Sequence, residues 1–472
     1  VFAAALAVYG ASVCPVIYWG DSAELSRRAL TIELLPTARG YPLHRVLCWA
    51  AGRLTGDAAF GANCVSAVFG AVSVALVYEI ARRLTRSGWA AMTAAAVTGL
   101  AHTFWQYAAV AEVYTLHTAL MLGAILLAVL ADSGRPWTRW ALGAVLGVSL
   151  LHHRMIVFTV PGVVWWMWTG VAPGARLRAA GEVVLGALAG AVPFAILCAV
   201  ASRSPPPGTA HPAWWWFQDV FMGGERNSDF LLGEGRKGLA KSALYLGKWL
   251  AINLPGPAIV LAAAGFAKAR ARVAVFLGLE VLANLWFPLR YDWTGDQYTF
   301  LIPVYPVVAL AAAVAVARLE ETRGARAARL AFAAAAASPV ACYALLAFTG
   351  LGPRLLPGVR PDVAQETFRP PRTGDRTSYD WCAERLASLP PDARLHADWG
   401  DGEVYLYLQE ARGMRPDVAV LVWNRNQTKT LPARPGDWVS VVPFGKDLPE
   451  ILAPLADRLE RHRDGLFRLR PE

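Results

Sequence analysis

The chain has 472 residues, 56% of them hydrophobic and 17% charged, with a mean hydropathy of +0.36. That composition excludes an ordinary soluble globule and leaves room for a polytopic membrane protein with a smaller water-soluble part. The formal charge of +10 does not point to nucleic acid, because the basic residues collect in short loops between apolar runs, where they set topology.

The stretch from Val1 lacks the basic n-region and small-residue cleavage site of a signal peptide. Eleven apolar segments have the length of a span or nearly so, near 1–18, 59–81, 88–105, 112–131, 138–152, 155–171, 180–201, 241–266, 273–289, 298–317 and 327–350. The first run leads into Trp19-Gly20-Asp21-Ser22-Ala23-Glu24-Leu25. If this stretch is helical, the i, i+3 spacing puts Asp21 and Glu24 on one face. Two readings stand: Asp21 caps a helix with Glu24 at its third position, or both are functional carboxylates at a membrane boundary.

The loop 19–58 contains Gly40-Tyr41-Pro42-Leu43, a turn, and then an apolar stretch from His44 to Leu54 carrying Arg45 and Arg53, which suits an interfacial helix. The loop 202–240 runs through His211-Pro-Ala-Trp-Trp-Trp-Phe217. Its triple Trp reads as a headgroup-level anchor or as a wall for a sugar or lipid. With a cytoplasmic N-terminus, the inside loops carry Arg82, Arg83 and Arg86; Arg135 and Arg139; Arg176 and Arg178; Lys268, Arg270 and Arg272; and Arg318, Arg323, Arg326 and Arg329. The outside loops are nearly bare, with Arg154 and Arg290 standing alone. All eight His then fall on the outer side or its boundary, together with Asp21, Glu24, Glu112, Asp292 and Asp296. Glu280 lies inside a span, where a carboxylate paired within the bundle is expected. The six Cys show neither CxxC nor metal-ligand spacing, so no disulfide framework and no zinc is expected.

Pro-rich, charged sequence from about 351 marks a change of domain. Helices are expected over Ser378 to Leu389, Glu403 to Arg412 and Leu448 to His462. Strands are expected over Arg394 to Trp399, which ends in Gly-Asp-Gly, over Val418 to Trp423 and over Trp438 to Phe444. The alternation suggests a small α/β layer. Asp398 to Glu403 reads as an acidic ligand loop or as a turn whose Asp side chains bond local backbone. The expected organisation is a membrane domain over 1–350 and an extracytoplasmic α/β domain over 351–472.

Six motifs in order carry a resemblance. They are Trp19 to Leu25; Gly40-Tyr-Pro-Leu43 with Ala51-Gly-Arg-Leu54; Thr103-Phe-Trp105 with Ala111-Glu-Val-Tyr-Thr-Leu116; Gly147 to His153; Asp292 to Tyr305; and Tyr407-Leu-Gln-Glu410 with Gly413 to Val418. The pattern resembles a multi-pass family long filed as a domain of unknown function, whose animal member is an O-mannosyltransferase of plexin-type receptor domains, within the glycosyltransferase C superfamily. The chain departs from that pattern at Ala23, where the family has Gly, and at Thr37, where it has His.

The resemblance implies a mainly α, polytopic fold of glycosyltransferase C type in the cell (inner) membrane. It implies transfer of a sugar, a hexose such as mannose, from a polyprenyl-phosphate donor to a hydroxyl of a protein or glycan acceptor. In such a reaction Asp21 suits a general base and Glu24 a positioning group. Glu112, Tyr114, His153, Arg154, Arg290 and Asp296 would bind donor or substrate, the two Arg by charge-assisted contacts to the phosphate. The partners implied are the lipid bilayer, the lipid-linked sugar and the acceptor. No cofactor is assigned beyond the polyprenyl-phosphate sugar as donor substrate, and use of a divalent metal is left open. A transporter or flippase, or an inactive scaffold, are the alternatives.

Overall fold

A computed structural model describes residues 1–34, 40–203, 238–291, 297–355, 367–423, 431–441 and 450–471. The fold is mainly helical, with a small C-terminal sheet. Among the described residues, five helical stretches are long and apolar enough to cross a membrane: Ala58–Thr85, Tyr114–Ala131, Pro173–Ala201, Ala271–Arg290 and Gln297–Phe348. Leu239–Asn253 and Pro257–Lys268 form a sixth if this pair, bent by 104°, counts as one.

Several apolar runs are broken where the sequence carries a local stop. The first run is helical only over Phe2–Ser12, because Pro15 forces its neighbourhood into extended backbone. The run from 88 divides into Gly88–Gly99 and His102–Ala108. The run from 241 breaks at Pro255-Gly256, and Asn253 just before the break joins it to helix His102–Ala108: its Oδ1 accepts from the Thr103 backbone at 2.7 Å, and its Nδ2 donates to Thr103 Oγ1 at 3.0 Å and to the Trp249 carbonyl at 2.8 Å. The last long stretch turns at Gly324, where φ is 80°.

The first arm of that last stretch is apolar all round and is buried from Val304 to Ala313, as expected of a central helix. It packs against Gly88–Gly99 and Pro257–Lys268. Arg176–Ala201 instead leaves Leu177, Val184, Leu188, Val192 and Ile196 exposed, a stripe suited to lipid. Its inner side meets Pro136–Val148 at Gly143, Gly147, Gly186 and Gly190, where a Cβ on either helix would run into the other's backbone. Glu280 is buried, and neither carboxylate oxygen has a hydrogen-bond partner among the described residues. Among the described residues the expected intrabundle pair is not formed; Glu280 lies against Gly162, whose missing side chain makes room for it.

The C-terminal sheet has strands β1 (Arg394–Asp398), β2 (Ala419–Trp423), β3 (Trp438–Ser440), β4 (Leu459–Arg463) and β5 (Leu466–Leu469), in the order β2-β1-β3-β5-β4. β1 runs parallel to β2 and β3, and β5 antiparallel to β3 and β4. Two expectations are corrected. The segment read as a helix to His462 is a 3-10 turn over Glu450–Arg458 followed by β4, because Pro454 denies an α-helix its ladder and β4 pairs with β5. Gly400-Asp401-Gly402 is not a turn after β1 but the first turn of helix Trp399–Arg412. Asp398 is its N-cap and Asp401 accepts from Ser440 Oγ at 2.5 Å.

The sheet domain is docked on the helical bundle. The Arg372 backbone donates to the Ser12 carbonyl at 2.8 Å, Ser378 Oγ to the Ile17 carbonyl at 2.5 Å, and Trp19 meets Trp381 edge-on at 5.8 Å.

Candidate active site

The chain leaves the first helix in extended form and turns at Gly20, where φ is 66°, a left-handed value that glycine adopts without a Cβ penalty. Helix Asp21–Arg28 begins at once. Gly20, not Asp21, is its N-cap, and no side chain caps it; the capping reading of Asp21 is thereby corrected. The two carboxylates part company. Asp21 is exposed, whereas Glu24 is buried and held by Arg28 at 2.5 Å and by the indole N–H of Trp399 at 3.3 Å.

Helix Ala58–Thr85 ties this exit to a second loop. Asn63 Nδ2 donates to the Cys14 and Val16 carbonyls at 2.8 and 3.0 Å, and its Oδ1 accepts from the Ala111 backbone at 2.7 Å. One turn on, Ser66 Oγ accepts from the Glu112 backbone at 3.0 Å. The loop 109–113 is thereby pinned ahead of helix Tyr114–Ala131, and Glu112 is buried there. The Tyr114 hydroxyl accepts from Thr299 Oγ1 at 2.9 Å, and Asp21, Glu112 and Tyr41 all lie within electrostatic reach of it. Tyr107 and Phe300 meet the Tyr114 ring edge-on, and Tyr298 stacks on Trp249 at 3.9 Å.

Four histidines close the other side. His153 lies 5.1 Å from His117 and 6.1 Å from His152, between centroids, and stacks on Tyr41 at 5.6 Å; His44 stacks on His152 at 5.8 Å. Burial lowers the His44 imidazole to about 4 and pushes His153 well below the usual histidine range. Both rings are neutral at pH 7. His153 Nδ1 accepts from the Met155 backbone at 3.3 Å, which leaves the ring proton on Nε2 as a donor. Arg154, next in the chain, opens a 3-10 turn and interacts electrostatically with His153. Arg290 ends helix Ala271–Arg290 with its guanidinium over Trp286. Its Nε is buried without a hydrogen-bond partner among the described residues. Asp296, Asp292, Thr37 and the triple Trp lie outside the described residues.

Among the described residues no group of three or more His, Cys, Asp or Glu could hold a metal ion. A cleft of about 480 Å³ on the sheet domain, lined by Trp438, Arg461, His462 and Arg468 among others, shares no residue with this cluster.

Two solved structures of ArnT from Cupriavidus metallidurans superpose on nearly the whole chain. The form bound to undecaprenyl phosphate does so with a TM-score of 0.58 and 17% identity, over 99% of this chain and 96% of that one. The apo form gives 0.55 and 17%, over 97% and 94%. This is the glycosyltransferase C fold.

Sequence similarity covers only part of the chain. The family model described as dolichyl-phosphate-mannose-protein mannosyltransferase matches residues 39–197. The protein O-mannosyl-transferase TMEM260 of Mus musculus is 28% identical over 175 residues, which is 35% of this chain and 25% of that protein. The match thus spans about a quarter of that relative's length.

Within this glycosyltransferase C fold, Tyr114 and His153 meet ring to ring at 6.2 Å, with Glu112 and Arg154 close to them in the chain, and Asn63 ties the exit leading to Asp21 to the Glu112 loop. Arg290 approaches these rings through an aromatic chain in which Phe287 and Tyr291 contact Phe300 at 5.0 and 4.9 Å. Asn63, Ser66, Tyr41, His117 and Trp399 were not named as site residues from the sequence. An Asn and a Ser three residues apart on an apolar helix are a signal for a polar partner face, but nothing local says which backbone they hold.

Proposed function

We propose that the chain transfers a sugar from a polyprenyl-phosphate donor to a hydroxyl group of a protein or glycan acceptor, at the extracytoplasmic face of the cell (inner) membrane. The observation that carries this reading is that Asn63 ties the exit leading to Asp21 to the loop that carries Glu112, in a fold shared with a protein solved with undecaprenyl phosphate. The mannosyltransferase family model favours a hexose such as mannose.

The steps follow from the groups present. The exposed Asp21 carboxylate takes the proton of the acceptor hydroxyl. The acceptor oxygen bonds to the anomeric carbon as that carbon's bond to the phosphate oxygen breaks, and the electron pair leaves with the phosphate. Arg154 and Arg290 receive the added negative charge, and His153 Nε2–H supplies a neutral hydrogen bond. Glu112 and Tyr114 orient the sugar hydroxyls, and Asp296 is assigned to the same donor site by resemblance. Glu24 fixes the helix that carries Asp21. The bent pair at Asn253 is a feature that a transporter would also use, but its side-chain amide is consumed in holding Thr103 and the Trp249 carbonyl, which favours the enzyme. The domain division at about 350 and the extracytoplasmic placement of the sheet domain belong to the same proposal.

The purified chain, incubated with a panel of polyprenyl-phosphate sugars, should transfer or hydrolyse at least one of them, and Asp21→Asn should not. A wild-type chain inert toward the whole panel, or an equally active Asp21→Asn, overturns the reading.

A further inference from the structure

Helix Asp21–Arg28 has only eight residues, too few to be stable alone. Its sequence is strongly polar, so its direction depends on what it packs against. On one side is helix Ala58–Thr85; on the other is Trp399–Arg412 of the sheet domain. The contacts with Trp399–Arg412 bracket the Asp21 backbone. The Gly20 N–H donates to the Gly400 carbonyl at 3.1 Å. The Trp399 ring lies over Gly20, 3.7 Å from where a Cβ would sit. Its indole N–H reaches Glu24 Oε2 at 3.3 Å. At the far end of the helix, Arg27 pairs with Glu403 at 2.7 Å and Glu410 at 3.1 Å.

We infer that Trp399 and Glu403 are positioning residues for Asp21, so that the sheet domain is a working part of the site. As the first residue of the helix, Asp21 takes its direction from the turn at Gly20, and that turn is bonded to the sheet domain. The acidic run Asp398 to Glu403 thus gains a role. Asp398 and Asp401 anchor the helix start, while Trp399 and Glu403 face the membrane domain. Arg27 compensates the buried Glu403, whose carboxyl is pushed up by desolvation and pulled back by that partner. As a statement about catalysis, the inference rests on the transfer reading above; as a statement about geometry, it does not.

The test therefore has two arms in the full chain. The first is independent of activity. In a background with Cys64→Ala and Cys342→Ala, which removes the partly exposed native thiols, Asp21→Cys is labelled with a methanethiosulfonate reagent. Adding Trp399→Phe, which keeps an aromatic side chain but removes the N–H and the outer ring over Gly20, or Arg27→Glu should change the labelling rate several-fold. Combining Arg27→Glu with Glu403→Arg should bring it back. The second arm measures turnover with Asp21 in place. Trp399→Phe should lower kcat about tenfold with little change in donor KM, and the charge exchange should recover kcat. Unchanged labelling in both variants, or unchanged kcat in folded Trp399→Phe, overturns the inference. Altered labelling in a chain that turns over no donor supports the positioning and defeats only the transfer reading.

Discussion

The side-chain oxygen of Asn63 accepts the Ala111 backbone N–H at 2.7 Å, while its nitrogen holds the two carbonyls of Cys14 and Val16. One buried amide thus satisfies three backbone groups from two loops and sets the distance between the exit that carries Asp21 and the turn that carries Glu112. Asn63→Ala should leave all three unpaired, at a cost of roughly 2–4 kcal/mol. The thermal midpoint in detergent should fall, and turnover should fall with it; a midpoint equal to the wild type's would show that water replaces the amide.

Asp21→Asn keeps the shape of the side chain and removes its basicity. Turnover should drop by about 10²–10⁴, with a thermal midpoint that still reports a folded chain, because Asp21 is exposed and is not the helix's cap. Glu24→Gln should cost less in rate but more in stability, since Arg28 and Trp399 both bind the carboxylate. A folded Asp21→Asn that turns over normally would move the search for the base to Glu112.

Arg154→Ala and Arg290→Ala should each weaken donor binding by about 1.5–3 kcal/mol, the range for a charge-assisted hydrogen bond, and leave acceptor affinity alone. Titration with a polyprenyl phosphate lacking the sugar isolates the phosphate contact. Equal affinity in wild type and both variants would return the two Arg to a role at the ends of their helices.

Acid should destabilise the chain through its buried histidines. His44 binds a proton at 6.5 when unfolded and at about 4 when folded, so the unfolded chain takes up protons first as pH falls. Stability from this residue is whole above pH 6.5 and is lost down to about pH 4, on the order of 3 kcal/mol at the limit. His153 acts in the same direction. His44→Gln should flatten the fall of the thermal midpoint over that window; an unaltered slope would show that another group governs it.

Orientation is checked separately. A reporter active only in the cytoplasm, fused after Glu472, should be silent, because Arg fills the alternate loops. A bright signal would reverse the face on which Asp21, Glu112 and the histidines work.

Composition and apolar runs were sufficient for the helical membrane class, and the ordered motifs for the glycosyltransferase C resemblance, because burial of apolar length and short local spacings are properties of the chain itself. The runs did not say where helices break. Pro15 and Pro255-Gly256 interrupt stretches whose hydropathy is continuous, whereas the turn at Gly324 falls in the charged stretch between the last two runs. The spacing of Asp21 and Glu24 suggested a matched pair, but the fold leaves one exposed and buries the other against Arg28 and Trp399. That difference depends on Trp399, 375 residues from Glu24, and on an Asn63 amide that bridges loops on either side of it. Local sequence determines which groups can ionise, cap or turn. Which of them face one another is set by packing between segments far apart in the chain, and only the tertiary structure decided it.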